Sequence, residues 1–245
     1  ANYYQITDNV SHDNRYRGFY IVDRNSITLG QAHDNLAYNN ETGFEFHDYG
    51  DNYDNEARNN SGSGFYVQDA SIRNSLSHDN VTGVYIYRGS VYNSIIHNNS
   101  GSGVYSWANY NNCFISGNEI FNNATGIFSE SYGGNLTYSN NLIHDNSLRG
   151  VLLQNVQTSS GIAALTNNTI REPSSNSIQI TGDSKNVQLK NNILWSGGAD
   201  KYALYVSNNA QTGFVSDYNL IYATAGAKLI WWQRAYTALA DWRYE

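Results

Sequence analysis

A short motif recurs along most of this 245-residue chain: His-(Asp/Asn)-Asn, followed a few residues later by Gly and alternating apolar and aromatic residues. It reads His78-Asp79-Asn80 to Gly83-Val84-Tyr85-Ile86, His97-Asn98-Asn99 to Gly103-Val104-Tyr105, and His144-Asp145-Asn146 to Gly150-Val151-Leu152-Leu153. Looser copies occupy Tyr38-Asn39-Asn40 to Gly43-Phe44, Asn59-Asn60 to Gly64-Phe65-Tyr66, and Phe121-Asn122-Asn123 to Gly126-Ile127-Phe128. The slot is held by Gly18, Gly43, Gly64, Gly83, Gly103, Gly126 and Gly150, then by Ser177 and Ala203, with steps of 19 to 27 residues. Units of that length, without a helical period, must stack as a solenoid, because one unit alone buries too little surface. Leu at the fixed offsets of a leucine-rich repeat is missing, and propeller blades run about twice as long.

Two apolar segments stand out in each unit. One follows the Gly, as in Val84-Tyr85-Ile86 and Ile127-Phe128-Ser129. The other follows an Asn, as in Asn74-Ser75-Leu76, Asn93-Ser94-Ile95-Ile96, Asn141-Leu142-Ile143, Asn168-Thr169-Ile170, Asn192-Ile193-Leu194 and Asn219-Leu220-Ile221. Strands this short pair with the same segment of the next unit, which gives parallel sheets along the axis. Each corner Asn then stacks on its counterpart, its amide donating and accepting, its backbone tolerating a left-handed turn. Gly meets the same backbone need without a side chain.

With these features the chain resembles the right-handed parallel β-helix superfamily, a group that includes pectate lyases, alginate lyases and epimerases, polygalacturonases and some carbohydrate-binding modules. The resemblance implies an all-β fold. We expect a right-handed parallel β-helix of about nine to ten coils over residues 1–222. Residues 223–245 are expected to form an irregular or short helical C-terminal cap, since the stretch from Trp231 to Trp242 breaks the repeat and holds three of the five Trp. Tyr3-Tyr4-Gln5-Ile6 already reads as a coil, which suggests a module appended to a longer protein.

Charged residues make up only 14% of the chain and the net charge is −7, so nothing attracts nucleic acid or anionic lipid. No apolar run approaches the ~18 residues that span a bilayer. Low charge with abundant Asn, Ser, Gly and Tyr suits a secreted or cell-surface protein of bacterial type. The lone Cys113, in a strand-like stretch, reads as a buried structural thiol.

Strands alternate their side chains. If the residue after each Gly faces inward (Phe19, Phe44, Phe65, Val84, Val104, Ile127, Val151), the next faces out: Tyr20, Glu45, Tyr66, Tyr85, Tyr105, Phe128, Leu152. Two residues further, also outward, come Val22, His47, Gln68, Tyr87, Trp107, Glu130 and Gln154. Coils lie ~4.8 Å apart, a step similar to one sugar of an extended polysaccharide. Aromatic faces stack on pyranose C–H faces, and Glu45, His47, Arg88 and Glu130 can bond hydroxyls. The candidate binding residues are therefore Glu45, His47, Tyr66, Tyr85, Tyr87, Arg88, Tyr105, Trp107, Phe128 and Glu130. Plain stacking is the competing reading, since Tyr and Phe favour strands whatever their role.

Five of the six histidines (His12, His33, His78, His97, His144) sit in repeat-type motifs whose slot also accepts Tyr38 and Phe121, which argues for corner packing. His47 is the exception. With Tyr66 or Tyr85 and Arg88 it is the best available catalytic group, giving His47, Tyr85 and Arg88 as candidates if the protein is an enzyme. The stretch from His47 to Glu56 holds Asp48, Asp51 and Asp54, a set able to bind calcium or to form an ordinary solvated loop. No other cofactor is expected.

The resemblance also supplies motifs to look for. The Asn-Thr-Asp, Gly-His-Gly and Arg-Ile-Lys motifs of polygalacturonases are absent, as is the Asp-Pro-His-Glu motif of alginate epimerases. Only four Lys occur, all late: Lys185, Lys190, Lys201 and Lys228. Lyase chemistry needs basic groups beside the uronate, and an acidic chain suits a neutral polymer better. The leading expectation is a non-catalytic module binding a neutral plant-type polysaccharide, similar to the xylan-binding modules of family 89, with a larger glycan-degrading protein as host. A polysaccharide lyase or epimerase, and a structural or adhesive solenoid, remain the alternatives.

Overall fold

The computed structural model describes residues 4–22, 30–47, 50–108, 112–157 and 161–242. Ten short strands, from Val10–His12 to Leu220–Thr224, form one sheet in chain order, which marks nine turns between the first strand and the last. The strands after each repeat Gly form a second face. A third face carries the register Asp51↔Ser71↔Ser90↔Phe114↔Thr137↔Ala164. The last two faces merge into one 19-stranded network because Ser63–Arg73 and Thr82–Tyr92 run through a corner without a break.

The third strand of each coil adds to the two segments expected. Its inward residues, among them Ile72, Val91, Ile115, Tyr138 and Leu165, are fully buried. It carries no Gly or Asn marker, and its spacing from the repeat Gly varies from coil to coil, from Gly64 to Ser71 in one and from Gly150 to Ala164 in another. Cys113 belongs to this face, is buried as expected, and has its pKa pushed up to about 12 by burial.

The recurring tripeptide divides three tasks among three residues. Its first residue stacks on its counterparts: His78 on His97 at 5.0 Å, His97 on Phe121 at 4.9 Å, Phe121 on His144 at 5.0 Å. Its second residue makes the left-handed turn, with φ near 55° at Asp79, Asn98 and Asp145. Its third is a buried Asn that joins a ladder through the molecule. Asn60 donates from N and Nδ2 to Asn80 Oδ1, both at 2.9 Å, and Asn80 donates likewise to Asn99 Oδ1 at 3.0 and 3.2 Å. A second ladder links Asn35, Asn55, Ser75, Ser94, Asn118, Asn141, Asn168, Asn192 and Asn219.

Two expectations are corrected here. One Asn does not both stack and turn: Asn74 and Asn93 take the left-handed conformation (φ 51° and 47°), while the adjacent Ser75 and Ser94 accept the ladder bond. Nor do the repeat glycines serve a left-handed turn, since their φ values lie outside that region. They serve space. A Cβ on Gly103 would meet Ile120 Cγ2 at 2.7 Å and Asn123 Nδ2 at 2.8 Å.

Parallel pairing continues to Lys228–Trp232 rather than ending near residue 222. There Arg234–Tyr236 folds back antiparallel, and a single helical turn, Leu239–Trp242, follows. Trp232 packs on Phe214 at 5.4 Å and on Trp242 at 6.3 Å, covering the open end of the core. No helix among the described residues is long and apolar enough to cross a membrane.

Candidate functional site

The alternation expected after each Gly holds. Phe44, Phe65, Val84, Val104, Ile127 and Val151 are fully buried. Their successors share one outward line, Tyr20↔Glu45↔Tyr66↔Tyr85↔Tyr105↔Phe128↔Leu152, paired coil by coil. Tyr66, Tyr85, Tyr105 and Phe128 are partly exposed, Tyr20 is exposed, and Leu152 is buried at 6%, which closes this stretch of the line. Ring centroids step by 5.1 Å from Tyr66 to Tyr85, 5.0 Å to Tyr105 and 5.1 Å to Phe128. Beside them stand Tyr87 and Trp107, edge to face at 5.9 Å, with Trp107 40% exposed.

Polar groups border the rings. Glu45 is nearly buried and accepts hydrogen bonds from Arg17 Nε and, at 2.7 Å, from His47 Nε2. His47 also lies against Tyr20 and stacks on Tyr66 at 5.6 Å. Tyr105 donates to Glu130 Oε2 at 2.9 Å and Tyr66 to Gln68 Oε1 at 3.3 Å. Arg88 lies over Tyr87 and pairs with Asp69 at 2.5 Å. It lines a cleft of about 300 Å³ with Gly50, Ser71, Ser90, Asn112 and Phe114. Arg17 and Arg88 thus each meet an acid, whereas Arg149, which pairs with Thr125 on this face, has its Nε buried without a partner.

Burial raises the phenol pKa of Tyr66, Tyr85 and Tyr105, with the bond to Glu130 adding to the effect at Tyr105. These phenols therefore keep their protons at neutral pH, and Tyr66 and Tyr105 donate them to Gln68 and Glu130. Of the three candidate catalytic groups, His47 touches Glu45 and Tyr66, Tyr85 stands one coil beyond Tyr66, and Arg88 turns to Asp69.

The acidic stretch is ordered differently from the loop expected. Asp51–Tyr53 is a strand, and Asp51 accepts two bonds from Arg73 at 2.9 and 2.7 Å. Asp54 makes a left-handed turn, and Asp48 lies outside the described residues. Among the described residues no three His, Cys, Asp or Glu side chains come together as a metal site.

Arg17 and Asp69 were not legible as site residues. Their roles depend on partners 28 and 19 positions away, a separation set by coil length rather than by motif.

The chain belongs to the family described as right handed beta helix region, whose model matches residues 53–194, more than half of its length. A search of curated proteins finds no match. Among solved structures it is similar to the A-module of the Azotobacter vinelandii mannuronan C-5 epimerase AlgE6: 20% identity, TM-score 0.60, covering 83% of this chain and 58% of that one. The AlgE4 A-module of the same organism aligns at 12% identity and TM-score 0.54, over 94% of this chain and 89% of that one. This chain thus spans less than two thirds of the AlgE6 module, and at these identities the likeness is one of fold.

Proposed function

We propose that this protein binds an extended polysaccharide along the outward line from Tyr20 to Phe128. The carrying observation is the register: from Tyr66 to Phe128 partly exposed rings recur once per coil, with ring centres about 5 Å apart. Such a row matches the repeat of an extended sugar chain: the ring edges and phenol groups of the stacked Tyr66 and Tyr85 line it, the turned rings of Tyr105 and Trp107 offer faces to sugars, and Tyr87, Glu130 and His47 flank it. Protonated phenols and paired charges suit a neutral glycan such as xylan, bound without turnover by a module of a larger extracellular protein. The fold shared with the mannuronan epimerase modules supports a polysaccharide partner.

A second reading has its own observation. Glu45-Phe46-His47-Asp48 keeps the order acid, spacer, His, acid of the Asp-Pro-His-Glu motif, with Phe in place of Pro. Glu45 and His47 are hydrogen-bonded on this same face. On that reading His47 is the proton-transfer group of an epimerase or lyase acting on a uronate polymer. A glycan array followed by a turnover assay on alginate and pectin separates the cases. Binding to neutral glycans with no change in the polymer supports the proposal; new unsaturated or epimerised residues, lost in His47→Asn, support the second. Silence in both leaves a structural solenoid.

A further inference from the structure

The outward line does not end where Leu152 closes its first stretch. It passes Gln179 and continues through Tyr205 to Trp231. The rings of Tyr205 and Trp231 stack at 5.8 Å with an interplanar angle of 11°, and Tyr202 meets them edge-on at 5.7 and 5.8 Å. All three are partly exposed. The contrast with the next residue is informative. Trp232 turns inward to cover the core, whereas Trp231 stays on the outer face. Capping therefore accounts for one Trp of the pair and not for the other.

Leu152 and Gln179 occupy the same slot, so the coil does not require a ring there. Phe128 and Tyr205 stand three coil steps apart, about 14 Å at ~4.8 Å per coil. An extended glycan crosses that gap with about three sugars. We infer that Tyr202, Tyr205 and Trp231 form a second aromatic contact platform for the same polysaccharide, making the site bipartite and selective for long chains. The inference rests on the reading of this face as a polysaccharide site. A chain already held on the first platform reaches the second at an effective concentration in the millimolar range, so bridging raises affinity without any new kind of contact.

Titration of the intact chain with linear xylan-type and mannuronan-type oligosaccharides of about three and about eight sugars tests this, the longer spanning both platforms at ~4.8 Å per step. The long form of the glycan that binds is expected to bind at least tenfold tighter than the short. Tyr205→Ala with Trp231→Ala removes that advantage and leaves a short-chain site. Because these changes adjoin the cap, Gln179→Tyr serves as an independent variant, and placing a ring in the gap strengthens long-chain binding. Equal affinity for both lengths, or a long-chain advantage untouched by these variants, overturns the inference alone. No binding of any of these oligosaccharides by the unaltered protein overturns the parent reading and the inference with it.

Discussion

The Asn corner and the aromatic outer face repeat with the same step, yet they hold different things together. At the corner, Asn80 is 3% exposed and its amide is bonded on both sides along the axis. The only exchanges along the second ladder are to Ser75 and Ser94, which keep the acceptor. On the outer line the slot passes from Tyr to Glu, Phe, Leu and Gln, and ring pairs change from stacked to edge-on. A repeat shows that equivalent side chains will stack. Burial and partners show which stack fastens one coil to the next, and which is left free to meet a ligand.

The largest effect of a single substitution is expected at the corner. Asn80→Ala leaves the N and Nδ2 donors of Asn60 buried without their acceptor and strips a donor from Ala57 O. At ~1–3 kcal/mol per unsatisfied group, the expected loss is about 3–5 kcal/mol in chemical denaturation. A loss below about 1 kcal/mol would put the ladder on a level with the outer face.

The first ladder ends in an acid, and this sharpens the contrast. Glu172 is fully buried, accepting from Asn146 N at 2.7 Å and Asn146 Nδ2 at 2.9 Å. Burial raises its pKa from 4.5 to about 7, against the opposing effect of those bonds. Because the folded value lies above the unfolded one, its contribution is most favourable below about pH 4.5 and is lost as pH rises through about 7. Glu172→Gln removes this dependence. Its stability relative to the unaltered protein should rise by up to about 3 kcal/mol between those limits. A flat difference across that range contradicts the assignment.

The smallest effect is expected at the stacked rings outside the corner. His97 sits between His78 and Phe121, and burial lowers its pKa against the opposing effect of a hydrogen bond with Asn98. A lowered histidine value costs stability as pH falls through the unfolded value. His97→Phe, copying Phe121, should therefore change stability by less than about 1 kcal/mol at neutral pH, and should gain on the unaltered protein in acid. A large loss at neutral pH would give this imidazole a role beyond stacking.

Much of this was written in the sequence. The Gly slot fixed the coil register, and the exchange of His with Tyr38 and Phe121 identified the stacks of His12, His78, His97 and His144; His33 lies instead in a third-face strand, stacked on Tyr53. The division of labour between Asn74 and Ser75 was hidden because both residues favour turns and both carry acceptors. The third face was hidden because its strands have only an inward apolar pattern and no marker residue. On the site, the line of rings was legible because alternation is local. The Arg17–Glu45 and Arg88–Asp69 pairs were not, since they join neighbouring coils through side chains whose direction no local pattern sets. Trp231 was masked by its neighbours, which do belong to the cap.

Glycan affinity and thermal stability measured together on Tyr85→Ala with Trp107→Ala decide whether the outer rings contact a ligand or support the fold. The expected result is a loss of at least tenfold in affinity for the glycan found by array, with the melting temperature within a few degrees of the unaltered protein. Unchanged affinity, or a collapse of stability that accounts for the loss, contradicts a ligand-contacting role for these rings.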